Sequence, residues 1–320
     1  MSRIPEPDRT PAGPAYEGRL LDRADDEVVD QGAAFDIRTL MTRRSMLSLA
    51  GIGLGAAALA ACTPTATVSP AASPTATPTA TPSATAVANA GLPAGEIPDE
   101  TAGPYPGDGS NGPDVLERSG IVRSDIRSSL EGGATADGVP MTLRLTILDT
   151  ARGDVPFAGA AVYVWHCDAD GGYSMYSNGI ENETYLRGVQ VTDASGVVTF
   201  TSIIPACYTG RWPHIHFEVY PDAAAMTDAA NAIATSQVAL PGDVCSTVYA
   251  LPAYSGSARN LAQVSLASDN VFGDDAGALQ LATVTGDTTS GYVVSLTARV
   301  DTTTTPAAGA APGGVSPRRP

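Results

Sequence analysis

Met141-Thr142-Leu143-Arg144-Leu145-Thr146-Ile147 alternates apolar and polar side chains without a break. Successive side chains of an extended chain leave opposite faces, so this period of two reads as a strand with one face in a core. Ala161–Trp165, Val197–Ile204, Ile215–Tyr220 and Tyr292–Val300 read as further strands, separated by Gly, Asp and Pro turns. Asp222 to Ala234, rich in alanine, is the best helix candidate and a short one. Several short strands with one short helix predict an all-β fold, a β-sandwich with long loops. The sequence holds no internal repeat, glycine-rich phosphate loop or dinucleotide-binding fingerprint.

Outside this region the composition changes. Residues 1–95 and 301–320 are rich in Pro, Ala, Thr, Ser and charge, which leaves one folded domain over 96–300. Thr42-Arg43-Arg44-Ser45-Met46-Leu47 leads an apolar run from Leu47 to Ala61, followed by Cys62. A charged start, a short apolar run and small residues before a cut site have the form of a signal peptide. The run is shorter than the roughly 20 residues that span a bilayer. Arg43-Arg44 fits the twin-arginine export route, and Leu59-Ala60-Ala61-Cys62 resembles a bacterial lipoprotein cleavage box with Cys62 as the lipidated residue. Residues 1–62 are therefore expected to be an extension plus signal, with Met41 the more natural start. Residues 63–95 form a Thr/Pro/Ala-rich stalk too polar to bury a core, and 301–320 a similar tail. The expected location is the outer face of the cell membrane, held there through a lipid on Cys62.

The net charge of −16 argues against a nucleic-acid partner, whose phosphates need a basic patch. It also gives no help in steering an anionic aromatic acid, so a carboxylated substrate would need a local positive group.

Of the three histidines in the chain, two stand in Arg211-Trp212-Pro213-His214-Ile215-His216-Phe217. On a strand, residues i and i+2 project from one face, so His214 and His216 converge on one point. Such a pair is structural about as often as it is metal-binding, and the neighbours sharpen the reading. Tyr208 lies in the loop Pro205-Ala206-Cys207-Tyr208-Thr209-Gly210, and Tyr173 in Trp165-His166-Cys167-Asp168-Ala169-Asp170-Gly171-Gly172-Tyr173-Ser174. Tyr176 or Tyr185 could take the place of Tyr173 in a different loop register. A phenol gives up its proton only to a strongly charged ion, and two phenolates with a hydroxide neutralise a 3+ charge. That favours ferric over ferrous iron, and zinc sites prefer His, Cys and carboxylate. Copper or zinc at the same residues is the competing metal reading.

Thr101-Ala102-Gly103-Pro104-Tyr105, Trp165–Ser174, Arg187-Gly188-Val189-Gln190-Val191-Thr192-Asp193-Ala194-Ser195-Gly196 and Tyr208–His216 occur in this order. Together they resemble the intradiol ring-cleavage dioxygenases, over about Glu100 to Val219 and more weakly to Val300. The resemblance implies that Tyr173, Tyr208, His214 and His216 hold Fe(III), and that Tyr208 also leaves as a base. It implies that Arg211 stabilises charge on a bound catecholate and that Gly103, Pro104, Tyr105 and Gln190 line the substrate pocket. The reaction it implies is cleavage of a small aromatic diol by O2 between its two hydroxylated carbons. The alternative is a non-catalytic, surface-anchored β-sandwich module with a vestigial metal site.

Two further expectations concern the remaining residues. With Cys62 set aside, an odd number of cysteines in an exported protein suggests one disulfide, taken as Cys207–Cys245, with Cys167 a small buried apolar residue. His166 is read as structural, because it leaves the strand end on the face opposite Trp165. Tyr254 and Arg259 are further candidates for the pocket, without a motif to place them.

Overall fold

The computed structural model describes residues 95–303, together with three short strands, Asp8–Thr10, Gly13–Tyr16 and Arg19–Leu20, that pair in that order. The signal-like stretch, the stalk and the tail beyond 303 lie outside the described residues. Among the described residues no helix is long and apolar enough to cross a membrane.

Nine strands build the domain: β1 (Pro140–Asp149), β2 (Val155–Pro156), β3 (Ala161–Trp165), β4 (Arg187–Val191), β5 (Val197–Ile203), β6 (His214–Tyr220), β7 (Ala234–Ala239), β8 (Thr283–Asp287) and β9 (Gly291–Val300). They form two sheets, as a β-sandwich requires. One runs β7-β6-β3-β4 and is antiparallel throughout. The other runs β8-β9-β1, with β5 and then β2 along the free side of β1. β9 lies parallel to β1, from Tyr292 opposite Met141 to Val300 opposite Asp149, so the last strand locks beside the first.

The period of two in β1 does what it predicts. Met141, Leu143, Leu145 and Ile147 are buried, whereas Thr142 and Thr146 are half-buried and Arg144 is exposed. They share one apolar cluster with Val162 and Val164 of β3, Phe200 of β5 and Ile215, Phe217 and Val219 of β6. Strands β3 and β6 carry no exposed residue at all, so their sheet is covered on its second face too. The cover consists of the loops between strands. Tyr163 of β3 donates its hydroxyl to the Pro106 carbonyl (2.6 Å), for example, fastening the 103–108 stretch over that face.

The helix expected over Asp222–Ala234 is not there. That stretch holds two single 3-10 turns, Ala225–Thr227 and Ala229–Asn231. Asp222 accepts from the N–H groups of Ala224 and Ala225, and Asp228 from that of Ala230, so short side chains take the bonds a helix would use. Two short α-helices form further on, α1 (Gly242–Val248) and α2 (Ser257–Leu261), in place of the one expected. Helix α1 starts after Pro241 and buries Cys245 and Val248, so packing outweighs the weak propensities of its residues.

The disulfide is also absent: Cys167, Cys207 and Cys245 are buried free thiols. Hydrogen bonds brace the loop at Cys207 instead. Its N–H donates to Ser257 Oγ (3.1 Å), its carbonyl accepts from Asn260 Nδ2 (2.8 Å), and its Sγ lies 3.4 Å from the Arg211 carbonyl. Ser257 and Asn260 both lie on α2.

Phe217 packs on the apolar side of β6, between the two histidines and the second sheet. Phe217→Ala is expected to cost about 3–5 kcal/mol, read as a lower denaturation midpoint at unchanged slope.

Candidate metal centre

Alternation along β6 sends His214, His216, Glu218 and Tyr220 to the face opposite Phe217. The His214 and His216 side chains meet there, with Nε2 atoms 3.1 Å apart. Tyr208 comes in from the preceding loop and sets its Oη 3.2 Å from His214 Nε2. Tyr173 comes from the loop after β3; its ring centroid lies 6.0 Å from that of Tyr208 and 6.2 Å from that of His216. The four side chains expected to act together are therefore gathered at one point. Tyr176 and Tyr185 are not among them: Tyr176 Oη receives the Gly107 N–H and donates to Asn111, and Tyr185 donates to Asp168.

Each imidazole is aimed by a neighbour. The Trp212 carbonyl lies 2.6 Å from His214 Nδ1, which keeps the proton on that nitrogen and leaves a lone pair at Nε2. His216 is oriented by stacking: its ring lies 4.8 Å from that of Trp165 at an interplanar angle of 6°, and Trp165 stacks in turn on Tyr163. Gly103, at φ +71°, sits against the other edge of His216, and a Cβ there would come within 3.4 Å of Cε1.

Burial drives both histidines well below their usual pKa, helped at His214 by the Arg211 charge, so both imidazoles are neutral. Burial likewise raises the pKa of Tyr173 and Tyr208. The Tyr173 hydroxyl is buried and has no hydrogen-bond partner among the described residues. A buried polar group left unpaired is costly, and a cation held by these four atoms would satisfy it. Among the described residues no three of His, Cys, Asp and Glu assemble into a metal-holding group. The donor set is two neutral nitrogens and two phenols, which fits a hard trivalent ion and lacks the thiolate or carboxylate of common zinc sites.

Arg211 is buried beside this point. Its Nε bonds Asp269 Oδ2 (3.0 Å), its Nη2 bonds Gln237 Oε1 (2.6 Å), and its guanidinium lies over the Phe272 ring. Burial works against the Arg211 charge, but Tyr208 and Asp269 outweigh it and hold the group protonated. Asp269 also accepts from the N–H groups of Trp212, Val271 and Phe272, so the anion is itself anchored. Neither Gln237 nor Asp269 stands in a recognisable pattern; Gln237 reaches the site because it lies opposite His216 on β7.

Residues 110–224 match the family model described as dioxygenase, a span holding Tyr173, Tyr208, Arg211, His214 and His216. A catechol 1,2-dioxygenase of Pseudomonas sp. (strain EST1001) is 36% identical over 90 residues, 28% of this chain and 29% of that protein. A chlorocatechol 1,2-dioxygenase of Rhodococcus opacus is 32% identical over 91 residues, 24% of this chain and 35% of that protein. An intradiol ring-cleavage dioxygenase from Tetranychus urticae superposes with a TM-score of 0.51 at 22% identity, covering 66% of this chain and 96% of that one. Over this span the chain is similar in sequence to dioxygenases that act on catechols, and its fold is that of an intradiol ring-cleavage dioxygenase. The matches to the two bacterial relatives span about a third of their length.

Not every residue that the family resemblance singled out lies where expected. Gly103 touches His216, and the Tyr105 ring lies 4.8 Å from that of Tyr173. Pro104 is half-buried, with its carbonyl bonded to Asn111. Gln190 does not face the centre. It pairs with Val162, three places along from the Arg187–Trp165 pair, so it leaves the sheet on the side opposite Trp165 and His216. Tyr254 is a support, bonded to Val139 N–H and the Ile204 carbonyl, and Arg259 is exposed on α2. His166 ties the two sheets, with Nδ1 2.8 Å from the Cys167 carbonyl and Nε2 2.7 Å from Ser202 Oγ.

Arg187 is the residue of β4 that faces the centre. Its guanidinium donates to the carbonyls of Tyr105 (2.8 Å), Pro106 (2.7 Å) and Ser174 (2.9 Å), to Ser174 Oγ and to Tyr163 Oη. It therefore joins the 103–106 stretch to the loop that carries Tyr173. A Cβ at Gly107 would stand 2.7 Å from Arg187 Nη1, so only glycine lets the chain pass there. Removing the guanidinium strands the buried Ser174 carbonyl and the half-buried Tyr105 carbonyl, while Pro106 keeps only the Tyr163 hydroxyl. Arg187→Met is expected to cost about 3–5 kcal/mol in denaturant unfolding and to speed amide exchange across 103–107.

Proposed function

We propose that this protein is a ferric, non-haem dioxygenase that opens the ring of a catechol-type substrate between its two hydroxylated carbons, using O2. The observation that carries the reading is the meeting of Tyr173, Tyr208, His214 and His216 at one buried point, with an unpaired Tyr173 hydroxyl among them. These four side chains would hold Fe(III). The ion would supply Lewis acidity, lowering the pKa of a bound diol and making its ring reactive toward O2.

The protein's own part is positioning and charge. The Trp212 carbonyl and the Trp165 ring hold the two imidazoles in orientation. Tyr208 is the half-buried one of the two tyrosines, next to the exposed Thr209 and Gly210, so it is the one free to move and to take a substrate proton on its Oη. Arg211, fixed by Asp269 and Gln237, keeps a positive charge beside that oxygen and favours the anionic diol. Gly103, Pro104 and Tyr105 border the space where a ring would lie, and Tyr105 offers it an aromatic wall. We propose further that the domain spans 96–300 and works outside the cytoplasm, carried there by the signal-like segment that ends at Cys62 and lifted from the membrane by the stalk over 63–95. Residues 301–320 then form a tail.

The test is optical and respiratory. The full-length chain reconstituted with ferric iron is expected to bind about one iron and to show a visible tyrosinate-to-iron band that shifts when catechol is added without air. Admitting O2 should then consume catechol and give a muconate-type diacid. Tyr173→Phe should weaken the band, His214→Ala should abolish iron binding, and Arg211→Gln should keep the band while lowering kcat about 10²–10³-fold. A protein that stays colourless after reconstitution and consumes no oxygen with catechol overturns the proposal.

A further inference from the structure

Glu100 directly precedes the stretch Thr101–Tyr105 that borders the centre, and it is a buried carboxyl with no ion pair among the described residues. Its backbone N–H donates to the Thr235 carbonyl (2.6 Å), which pins it to the outer edge of β7. Among the described residues its one side-chain hydrogen bond is from the Gln280 amide, with Nε2 3.4 Å from Oε1. Arg211, the guanidinium whose charge reaches Glu100, already engages Asp269 through Nε and Gln237 through Nη2. The charged groups that face Glu100 from the elements packed on it are Asp274 and Asp275 of the loop before β8, and Arg211 of the loop before β6. Two acids against one already engaged cation make an ionised carboxylate unfavourable there.

The Gln280 amide points to the same state. Gln280 is fully buried, yet its Oε1 has no donor. Its amide touches two side chains, Glu100 and Ser236, and the Ser236 hydroxyl is already donated to the Pro98 carbonyl (2.7 Å). Both N–H contacts of the amide are long, 3.4 Å to Glu100 Oε1 and 3.3 Å to Ser236 Oγ, whereas an ionised carboxylate draws N–H donors to about 2.7–2.9 Å.

We propose that Glu100 is a positioning residue that carries a proton in the working protein and thereby leaves the Arg211 charge directed at Tyr208 and Tyr173. Were Glu100 ionised, Arg211 would face two carboxylates, Asp269 and Glu100, and its pull on an anionic diol would weaken. Loss of the proton would also draw the Gln280 N–H in toward Glu100 and shift the root of the 101–105 stretch, which Gln237 holds through the Thr101 carbonyl (3.0 Å). Burial, reinforced by Asp274, pushes this carboxyl up to about 8, so the change falls just above neutrality. The effect on catalysis rests on the dioxygenase reading; the proton itself does not.

The test compares wild type with Glu100→Gln, which imitates the protonated side chain, in two measurements on the full-length chain. The first is the melting temperature across pH 5 to 9. A carboxyl whose folded pKa lies above its unfolded value stabilises fully at low pH and loses that contribution as pH rises through the folded value. Wild type should therefore lose several degrees relative to Glu100→Gln between pH 5 and 8.5, and a difference that stays constant with pH overturns the proposal. The second is kcat/KM for catechol, each profile normalised to its own value at pH 6.5. Wild type should fall toward tenfold per pH unit above about 8, while Glu100→Gln stays flat over that range. If the melting temperatures diverge but both profiles fall together, Glu100 holds a proton without positioning Arg211, and the catalytic half is wrong. If neither protein turns over catechol, the dioxygenase reading fails and takes the positioning role with it, whereas the melting experiment still decides the proton.

Discussion

Strand β6 has apolar Ile215, Phe217 and Val219 on one face and His214, His216, Glu218 and Tyr220 on the other, and all seven are buried. That double burial is the constraint on which the centre depends. A sheet with one wet face would leave the imidazoles hydrated, ionisable near neutrality and free to rotate. Covering the second face with loops removes water, lowers the affinity of both rings for protons and makes every lone pair in the site count.

The cover has to be held down, and one guanidinium does much of that. Arg187 joins β4 to two separate stretches of loop through three carbonyls, a serine hydroxyl and a tyrosine hydroxyl. A buried charge costs several kcal/mol in desolvation, and only a nearly complete set of acceptors offsets it. Arg211 solves the same problem differently, with a carboxylate, an amide and an aromatic ring. The first arginine is spent on architecture, while the second keeps a field that reaches the two tyrosines.

Strain is placed close by. Met175 (φ 72°) and Leu186 (φ 56°) are non-glycine residues in the left-handed region at either end of the segment linking Tyr173 to Arg187. Such backbone costs about 1–3 kcal/mol per residue and persists only where surroundings impose it. Here Met175 N–H bonds the Ile180 carbonyl and Leu186 N–H the Ile126 carbonyl, so both are fixed by partners outside their own turn.

The unbroken alternation from Met141 to Ile147 was enough to announce a half-buried strand, and His-x-His on a strand was enough to bring two imidazoles to one face. These are local properties of an extended chain, which is why they survive without knowledge of neighbours. The resemblance of four ordered motifs added Tyr173, Tyr208 and Arg211, all of which lie at or beside the histidine pair. What failed was whatever depended on partners. The alanine-rich stretch from Asp222 has good helix composition, but Asp222 and Asp228 divert its amides. Cys207 and Cys245 looked like a bridge, but Ser257 and Asn260 brace that loop without one. Gln190 belongs to a matching motif, yet its register against Val162 turns it away, and Arg187 takes the place facing the centre. Composition, period and motif order determined the sandwich and the four side chains that meet at its centre. Which side chains orient, neutralise and support them was decided by contacts between residues far apart in sequence, because burial and hydrogen-bond satisfaction are settled only when the sheets and their covering loops have closed.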